Sequence, residues 1–118
     1  MSINYGYYLP LNAADMYKEV RFLDISPKTD GVGELARQTT DNEGTPKWVV
    51  STLVKYKDLP QQTETFTLVA SQADAEKINL IADLTPIRLL NLLGGKWSKA
   101  GADKTSWSFQ ISGVEVAK

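Results

Sequence analysis

The sequence predicts a small, mainly β domain with five strands and one short helix between the third and fourth strands. Three observations lead to this fold class. Segments rich in β-branched and aromatic residues alternate with turn signals, and a single stretch has helical periodicity. The 118 residues are 42% hydrophobic and 23% charged, as is usual for one soluble domain. We expect an N-terminal arm over residues 1–16 and one folded domain over residues 17–118.

Composition distinguishes the arm from the first strand. Residues 1–16 are rich in tyrosine and have neither helical nor strand periodicity. They are interpreted as an arm or an irregular edge strand, packed on the body or on a second subunit. The first strand is predicted over residues 17–26, and a turn containing proline and glycine follows at residues 26–31. Residues 32–46 are polar and indicate an exposed loop, with a short strand extension near residues 33–37.

The second strand, residues 47–56, is the clearest because β-branched and aromatic residues fill it. After a turn at residues 58–61, the third strand covers residues 63–71. Its alternation of threonine and apolar residues is typical of a half-buried antiparallel strand. One face is formed by Phe66, Leu68 and Ala70, and the other by Thr63, Thr65, Thr67 and Val69.

The helix is predicted to begin after Ser71, which stands where an N-cap residue belongs. Asp74, three residues later, can supply the carboxylate of a capping box. Pro86 bounds the helix, since the residue before proline avoids the helical region. The apolar stripe on one side of this segment consists of Ile78, Ile81 and Ala82.

The fourth strand is predicted over residues 87–93, and a loop is expected from Gly94 to Lys104. The fifth strand covers residues 106–116, with a bulge at Gly113, where the apolar positions change parity. Within it, Trp107 and Phe109 alternate with polar residues, which predicts that both are core.

Five strands with a helix between the third and fourth follow the order of the OB-fold, a small Greek-key barrel. We therefore expect a five-stranded OB-fold barrel with one short helix between strands 3 and 4. A five-stranded β-sandwich fragment or an open α+β sheet gives a similar order and stays an alternative.

Cysteine and histidine are both absent, which predicts a protein that is not an enzyme. Their absence removes disulfides, thiolate nucleophiles, histidine-based triads and imidazole metal ligands. Gly94-Gly95-Lys96 lacks the spacing of a phosphate-binding loop. We expect no catalytic residue, no cofactor and no metal site. The carboxylates best placed to hold a divalent cation lack the spacing of a calcium loop; they are Asp24, Asp30, Asp41 and Glu43.

The formal net charge is −1, so no global field attracts the protein to nucleic acid or to an acidic membrane. The sequence contains no apolar run of transmembrane length and no signal-peptide pattern at its N-terminus. We expect a cytoplasmic protein that makes no contact with membranes.

OB-fold barrels bind ligands across strands 2 and 3 and through the loops between strands 1–2 and 4–5. In this sequence those elements carry aromatic rings, which stack on unpaired bases, and lysines, which meet phosphates. The candidate nucleic-acid-binding residues are Lys47, Trp48, Lys55, Tyr56, Lys57, Lys96, Trp97, Lys99 and Lys104.

The sequence leaves open the outward face of strand 2 and the exposure of Trp97. On strand 2 either Trp48 and Tyr56 or the lysines Lys47 and Lys55 face outward, since alternation alone does not choose a face. In the Gly-rich loop, Trp97 is either exposed to a ligand or buried at the base of a lid over the barrel mouth.

The chain resembles the compact OB-fold single-stranded DNA-binding proteins, including those encoded on phages and plasmids and the related primosomal replication proteins. The resemblance covers residues 17–117 and is mainly architectural. The residues that carry it are Lys47-Trp48-Val49-Val50, Phe66-Thr67-Leu68-Val69, Trp107-Ser108-Phe109 and Gly113-Val114-Glu115-Val116.

The resemblance implies binding of single-stranded DNA, with RNA as the alternative, by a homodimer or tetramer that assists DNA replication or transfer of a mobile element. A long acidic tail, which many members use to recruit other proteins, is not expected because the sequence stops at Lys118. A protein–protein interaction or oligomerisation module built on the same barrel is the competing hypothesis. By position, the resemblance implicates Trp48, Lys55, Tyr56, Trp97 and Lys99.

Overall fold

The computed structural model describes residues 4–30, 37–41, 43–56, 59–99 and 106–117, most of which lie in strands. Two of the candidate binding residues, Lys57 and Lys104, lie outside these residues. The elements are β1 (Asn4–Pro10), α1 (Ala13–Met16), β2 (Tyr17–Pro27), β3 (Thr29–Asp30), β4 (Arg37–Gln38), β5 (Lys47–Tyr56), β6 (Gln61–Val69), α2 (Gln72–Asn79), β7 (Ile87–Leu90), β8 (Leu93–Lys99), β9 (Ser106–Ile111) and β10 (Gly113–Val116).

The main structure is a six-stranded sheet in the order β1-β8-β9-β6-β5-β2, which does not close on itself. Its strand pairs are antiparallel except for β6 and β9, which are parallel. Two small ribbons, β10-β7 and β3-β4, accompany it. The mainly β prediction is therefore confirmed, and the predicted first and second strands match β2 and β5 closely.

The chain makes three successive antiparallel strands, β2, β5 and β6, and then returns through α2 to lie beside β2. The return is held by backbone hydrogen bonds: Phe22 N donates to Thr85 O (3.0 Å), and Leu84 N donates to Phe22 O (2.7 Å). An isolated bridge joins Arg21 to Pro86, immediately before β7. The path thus brings the segment before β7 back beside the first of the three strands.

The predicted helix is confirmed, and its cap is as expected. Ser71 is the N-cap, and its side chain accepts a hydrogen bond from Asp74 N (3.2 Å). The helix ends at Asn79, earlier than the apolar stripe suggests. Its buried residues are Ala75 and Ile78, so α2 packs its apolar side against the core.

The predicted loop beginning at Gly94 is wrong over residues 94–99, because this segment is strand β8, paired with both β1 and β9. Close packing, and not a turn, explains the glycine at position 94. A Cβ at Gly94 would collide with the side chain of Leu11, so the absence of a side chain lets Leu11 approach the strand.

The predicted fifth strand is continuous in sequence, but it divides at Ser112 between two sheets. β9 pairs with β8, whereas β10 pairs with β7, and Ser112 N donates to Leu90 O (3.0 Å) at the bend. Opposite this bend, Asn91 lies between β7 and β8 with φ 52°, a left-handed conformation that asparagine tolerates. The break therefore lies one residue before the expected bulge at Gly113.

The N-terminal segment forms the edge strand β1, paired with β8 from Asn4–Lys99 to Pro10–Leu93. This agrees with the edge-strand alternative for residues 1–16. The short helix α1 follows, which the sequence did not indicate. The proposed boundary between arm and domain at residue 17 stays a prediction.

The core lies on one face of the main sheet and is closed by α2 and β7. Phe109 packs against it with partial exposure, as do Ile25 and Ile81. The buried core residues include Tyr17, Val20, Phe22, Trp48, Val50, Val54, Phe66, Leu68, Ala75, Ile78, Ile87, Leu89, Leu92 and Ile111.

Candidate nucleic-acid interface

One face of β5 is buried in the core and the other faces outward. Trp48, Val50, Thr52 and Val54 are buried, so this face of the strand is the core face. The alternate residues are half-buried and face outward. They are Lys47, Val49, Ser51, Leu53 and Lys55.

Trp48 is only 9% exposed. Its indole Nε1 donates a hydrogen bond to Ala70 O at 2.9 Å, which satisfies the polar end of a buried tryptophan. This bond ties β5 to the junction between β6 and α2. A ring held in this way offers no face for stacking on a base, so the structure places Trp48 in the fold and not on the binding surface.

Tyr56 is half-buried at the end of the core face. Its hydroxyl donates to Glu64 Oε2 at 3.0 Å, and its ring centroid lies 5.1 Å from that of Tyr17. Burial, followed by the hydrogen bond and the negative charge of Glu64, raises the pKa of Tyr56 above its usual value. Tyr56 therefore stays a neutral phenol at physiological pH, with part of its ring open to solvent.

Tyr17 is almost fully buried beside Tyr56. Its hydroxyl finds no hydrogen-bond partner among the described residues. Burial is the main cause that raises the pKa of Tyr17, with the neighbouring Tyr56 and Glu64 adding to it. An unsatisfied buried hydroxyl is costly, and the Tyr17 ring packs against Tyr56 and Phe66.

The outward side of β5 and β6 carries a group of hydroxyls. In the register of these two strands Ser51 lies opposite Thr65, and Thr67 lies opposite Val49. Thr63 and Thr65 are exposed, whereas Ser51 and Thr67 are half-buried. We call this surface the hydroxyl face, defined by Ser51, Thr63, Thr65 and Thr67. Serine and threonine hydroxyls can bond to phosphate oxygens and to base edges.

Two lysines meet at one end of the hydroxyl face. Lys28 N donates to Lys47 O (3.0 Å), which places the two residues side by side. The Lys28 Nζ also donates to Thr67 Oγ1 at 3.2 Å, so the cation lies directly on the hydroxyl face. Lys28 was not among the predicted residues, since its position in a turn after the first strand gave no signal of this contact.

Lys55 lies at the other end of β5, eight residues from Lys47, or about 27 Å along an extended strand. In the sheet register its neighbours are Gln61 on β6 and Glu19 on β2. Glu19 forms an ion pair with Arg21 at 2.6 Å, so Arg21 partly neutralises the negative charge beside Lys55. Cations thus stand at both ends of the hydroxyl face.

The backbones of Lys96, Trp97 and Lys99 lie in β8, in the same sheet as the hydroxyl face. Trp97 pairs with Gly6 on β1 and Ser106 on β9. β9 in turn lies next to β6, where Gln110 pairs with Thr67. The structure therefore joins these predicted residues to the face through one continuous sheet.

Asp41, one of the carboxylates considered for a metal, has an ordinary structural role. Asp41 Oδ1 accepts hydrogen bonds from Glu43 N (2.9 Å) and Thr45 N (2.8 Å), the pattern of an Asx turn. In the described part of the chain no three acidic side chains come together in a group that could hold a metal ion.

Comparisons with protein-family models, curated proteins and solved structures find no match to this chain. Among the described residues, no helix has the length and apolar character needed to cross a membrane. The interpretation of function therefore rests on the sheet face and its charges.

Proposed function

We propose that the protein binds single-stranded DNA in the cytoplasm without catalysis, as an accessory to DNA replication or to transfer of a phage or plasmid element. The observation that carries the proposal is the paired Lys28 and Lys47 on the hydroxyl face, where Lys28 already contacts Thr67. Single-strand binding surfaces combine cations that track the phosphates with polar groups and aromatic rings that meet the bases.

An OB-fold barrel is the fold assignment that accompanies this proposal. It is supported by the Greek-key return of the chain beside β2, by α2 between the third and fourth strands of that path, and by the open sheet. OB-folds are partly open Greek-key barrels that use the face of strands 2 and 3 for ligands, and in this chain those strands are β5 and β6.

The ring assigned to stacking is Trp97, because Trp48 is buried in the core. Tyr56 lies at the end of the core face of β5, with its hydroxyl bonded to Glu64, and is not assigned to the hydroxyl face. Lys55 and Lys99 would extend the contact along the sheet. Lys96 precedes Trp97 in β8, and strand alternation places it on the opposite face. The net charge of −1 predicts modest affinity for one protomer. Assembly as a homodimer or tetramer would strengthen binding by placing several faces on one strand.

The test is a fluorescence-anisotropy titration of a labelled oligo-dT with the full chain at several salt concentrations. Each phosphate contact contributes about −0.7 to the slope of log K against log salt for single strands. The double variant Lys28→Ala/Lys47→Ala should therefore flatten the slope by about 1.4. The matched control is Lys77→Ala, since Lys77 is exposed on α2 and should leave the slope unchanged.

A second variant separates stacking from charge. Trp97→Phe should weaken binding at every salt concentration without changing the slope, because stacking releases no counterions. Binding by the wild-type protein that is independent of salt, or equal flattening by the Lys77 control, would contradict the proposal.

The competing function, an oligomerisation module, is favoured by one feature of the sheet. β1 is an edge strand whose only described partner is β8, and Leu9 on it is 54% exposed. Unprotected edges pair readily with other strands. Sedimentation of the wild type and of Leu9→Glu tests this function, since a β1-mediated dimer should dissociate in the variant while a monomer would show no change.

A further inference from the structure

A groove of about 830 Å³ lies between the first half of β2 and strand β7. Its apolar lining comes from Leu11, Val20, Ile87, Leu89 and Leu92. The groove lies beyond the edge of the main sheet formed by β2, away from the hydroxyl face. Cavities of this size hold small ligands or short peptide segments.

Backbone contacts bound the groove at both ends. At one end the bridge between Arg21 and Pro86 joins the two walls. At the other, Leu11 N donates to Leu92 O at 2.8 Å. Between these points, the described residues of β2 and β7 form no ladder with each other.

The wall formed by β7 is a strand edge. On its other side β7 pairs with β10, and the carbonyls of Pro86 and Leu90 accept hydrogen bonds from Ala117 N (2.9 Å) and Ser112 N (3.0 Å). In an antiparallel ladder alternate residues direct both backbone groups to the same neighbour. Ile87 and Leu89 therefore direct theirs toward the groove.

The mouth of the groove is positively charged. Lys18 is exposed and forms no ion pair within the part of the chain that is described. The Arg88 side chain is 63% exposed and has only a 3.9 Å contact with Glu115. The one acid of the lining, Glu19, is paired with Arg21. Lys18 is therefore a cation with no ion pair among the described residues, and Arg88 adds a solvent-exposed cation whose contact with Glu115 is long.

The opposite edge of β7 shows which kind of strand pairs with it. There β10 presents Val114, Glu115 and Val116, with Val114 opposite Leu89 and Glu115 opposite Arg88. We propose that the groove binds an extended segment of a partner protein in which apolar and acidic residues alternate. The segment adds as a strand between β2 and β7, a recognised mode of peptide binding.

Strand geometry explains why apolar and acidic residues should alternate in the bound segment. Successive side chains of a strand point to opposite faces, so every second residue of the segment packs on Val20 and Leu89. The residues between them face solvent at the mouth, where carboxylates meet Lys18 and Arg88. The strand wall, β7, has four residues from Ile87 to Leu90 and is about 10 Å long, which fits about four residues of the segment in extended form.

The test is a titration of the ¹⁵N-labelled full chain with a capped Gly-Val-Glu-Val-Ala peptide, at up to about 1 mM. The amide signals of Val20, Ile87 and Leu89 should shift together. No shift at this concentration overturns the proposal. Shifts of residues 113–116 and of β7 without a shift of Val20 also overturn it, since they indicate exchange with β10 and not insertion between β2 and β7.

Charge is tested with a matched peptide and matched variants. The peptide Gly-Val-Lys-Val-Ala should bind the wild-type protein about tenfold more weakly. The variants Lys18→Glu and Arg88→Glu should reverse this preference, which loss of folding cannot do. Lys77→Glu, remote on α2, is the control and should change nothing. Equal binding of the two peptides to the wild type would refute the acidic specificity.

Discussion

Replacement of Trp48 by phenylalanine separates its structural role from a role in binding. The variant loses the hydrogen bond from Nε1 to Ala70 O and leaves that buried carbonyl without this donor, at a cost of about 1–3 kcal/mol. The smaller ring leaves a cavity that adds about 1 kcal/mol. We expect the free energy of unfolding to fall by about 2–4 kcal/mol, and the melting temperature to fall by about 10 °C.

Two measurements on the same variant provide the comparison. Urea unfolding followed by circular dichroism gives the stability, and oligo-dT anisotropy at a temperature where the protein is folded gives the affinity. The affinity should be unchanged, because the indole does not reach the hydroxyl face. Leu80→Ala is the control: Leu80 is 85% exposed, and its replacement should change stability by less than about 0.5 kcal/mol.

The opposite result would refute the reasoning. If Trp48→Phe kept the wild-type stability and lost DNA affinity, Trp48 would be a stacking residue. The binding face of β5 would then be the one that carries Trp48 and not the one that carries Lys47. If Trp48 is a core residue, the variant should lose much stability and keep its affinity for DNA.

Three further substitutions test local features. Tyr17→Phe removes a buried hydroxyl without a partner and should raise the free energy of unfolding by about 0.5–1 kcal/mol at neutral pH. Because folding raises the pKa of Tyr17 above its usual value of 10.0, wild-type stability should fall as pH rises above that value, and this fall should be smaller in the variant. Leu84 has φ 65°, so Leu84→Gly should stabilise the fold by about 0.5–1 kcal/mol in thermal unfolding; a loss would show that its contacts outweigh the strain. Ser71→Ala should cost about 1 kcal/mol in urea unfolding by removing the bond to Asp74 N, and no change would mean that α2 does not depend on its cap.

The candidate surface was predictable only in part. The sequence placed Lys47 and Lys55 on one face of the second strand and Thr63, Thr65 and Thr67 on one face of the third, because strand periodicity fixes which residues of a strand share a face. It left open which face of the second strand is outward. It did not indicate Lys28, whose contact with Thr67 joins residues 39 positions apart. The exclusion of Trp48 from the surface likewise required knowledge of what packs on each side of β5.

Local chemistry determined the elements whose signals lie within a few residues. The bounds of β5 follow from its dense β-branched and aromatic residues, and the start of α2 follows from the Ser71 cap, since both depend on short-range preferences of the backbone. Tertiary structure decided the rest. Gly94 lies in a strand because β8 pairs with β1 and β9, and Ser112 divides a continuous apolar segment because β9 and β10 have different partners. Strand pairing joins residues far apart in the chain, so its register and its outward face depend on neighbours that no local pattern contains.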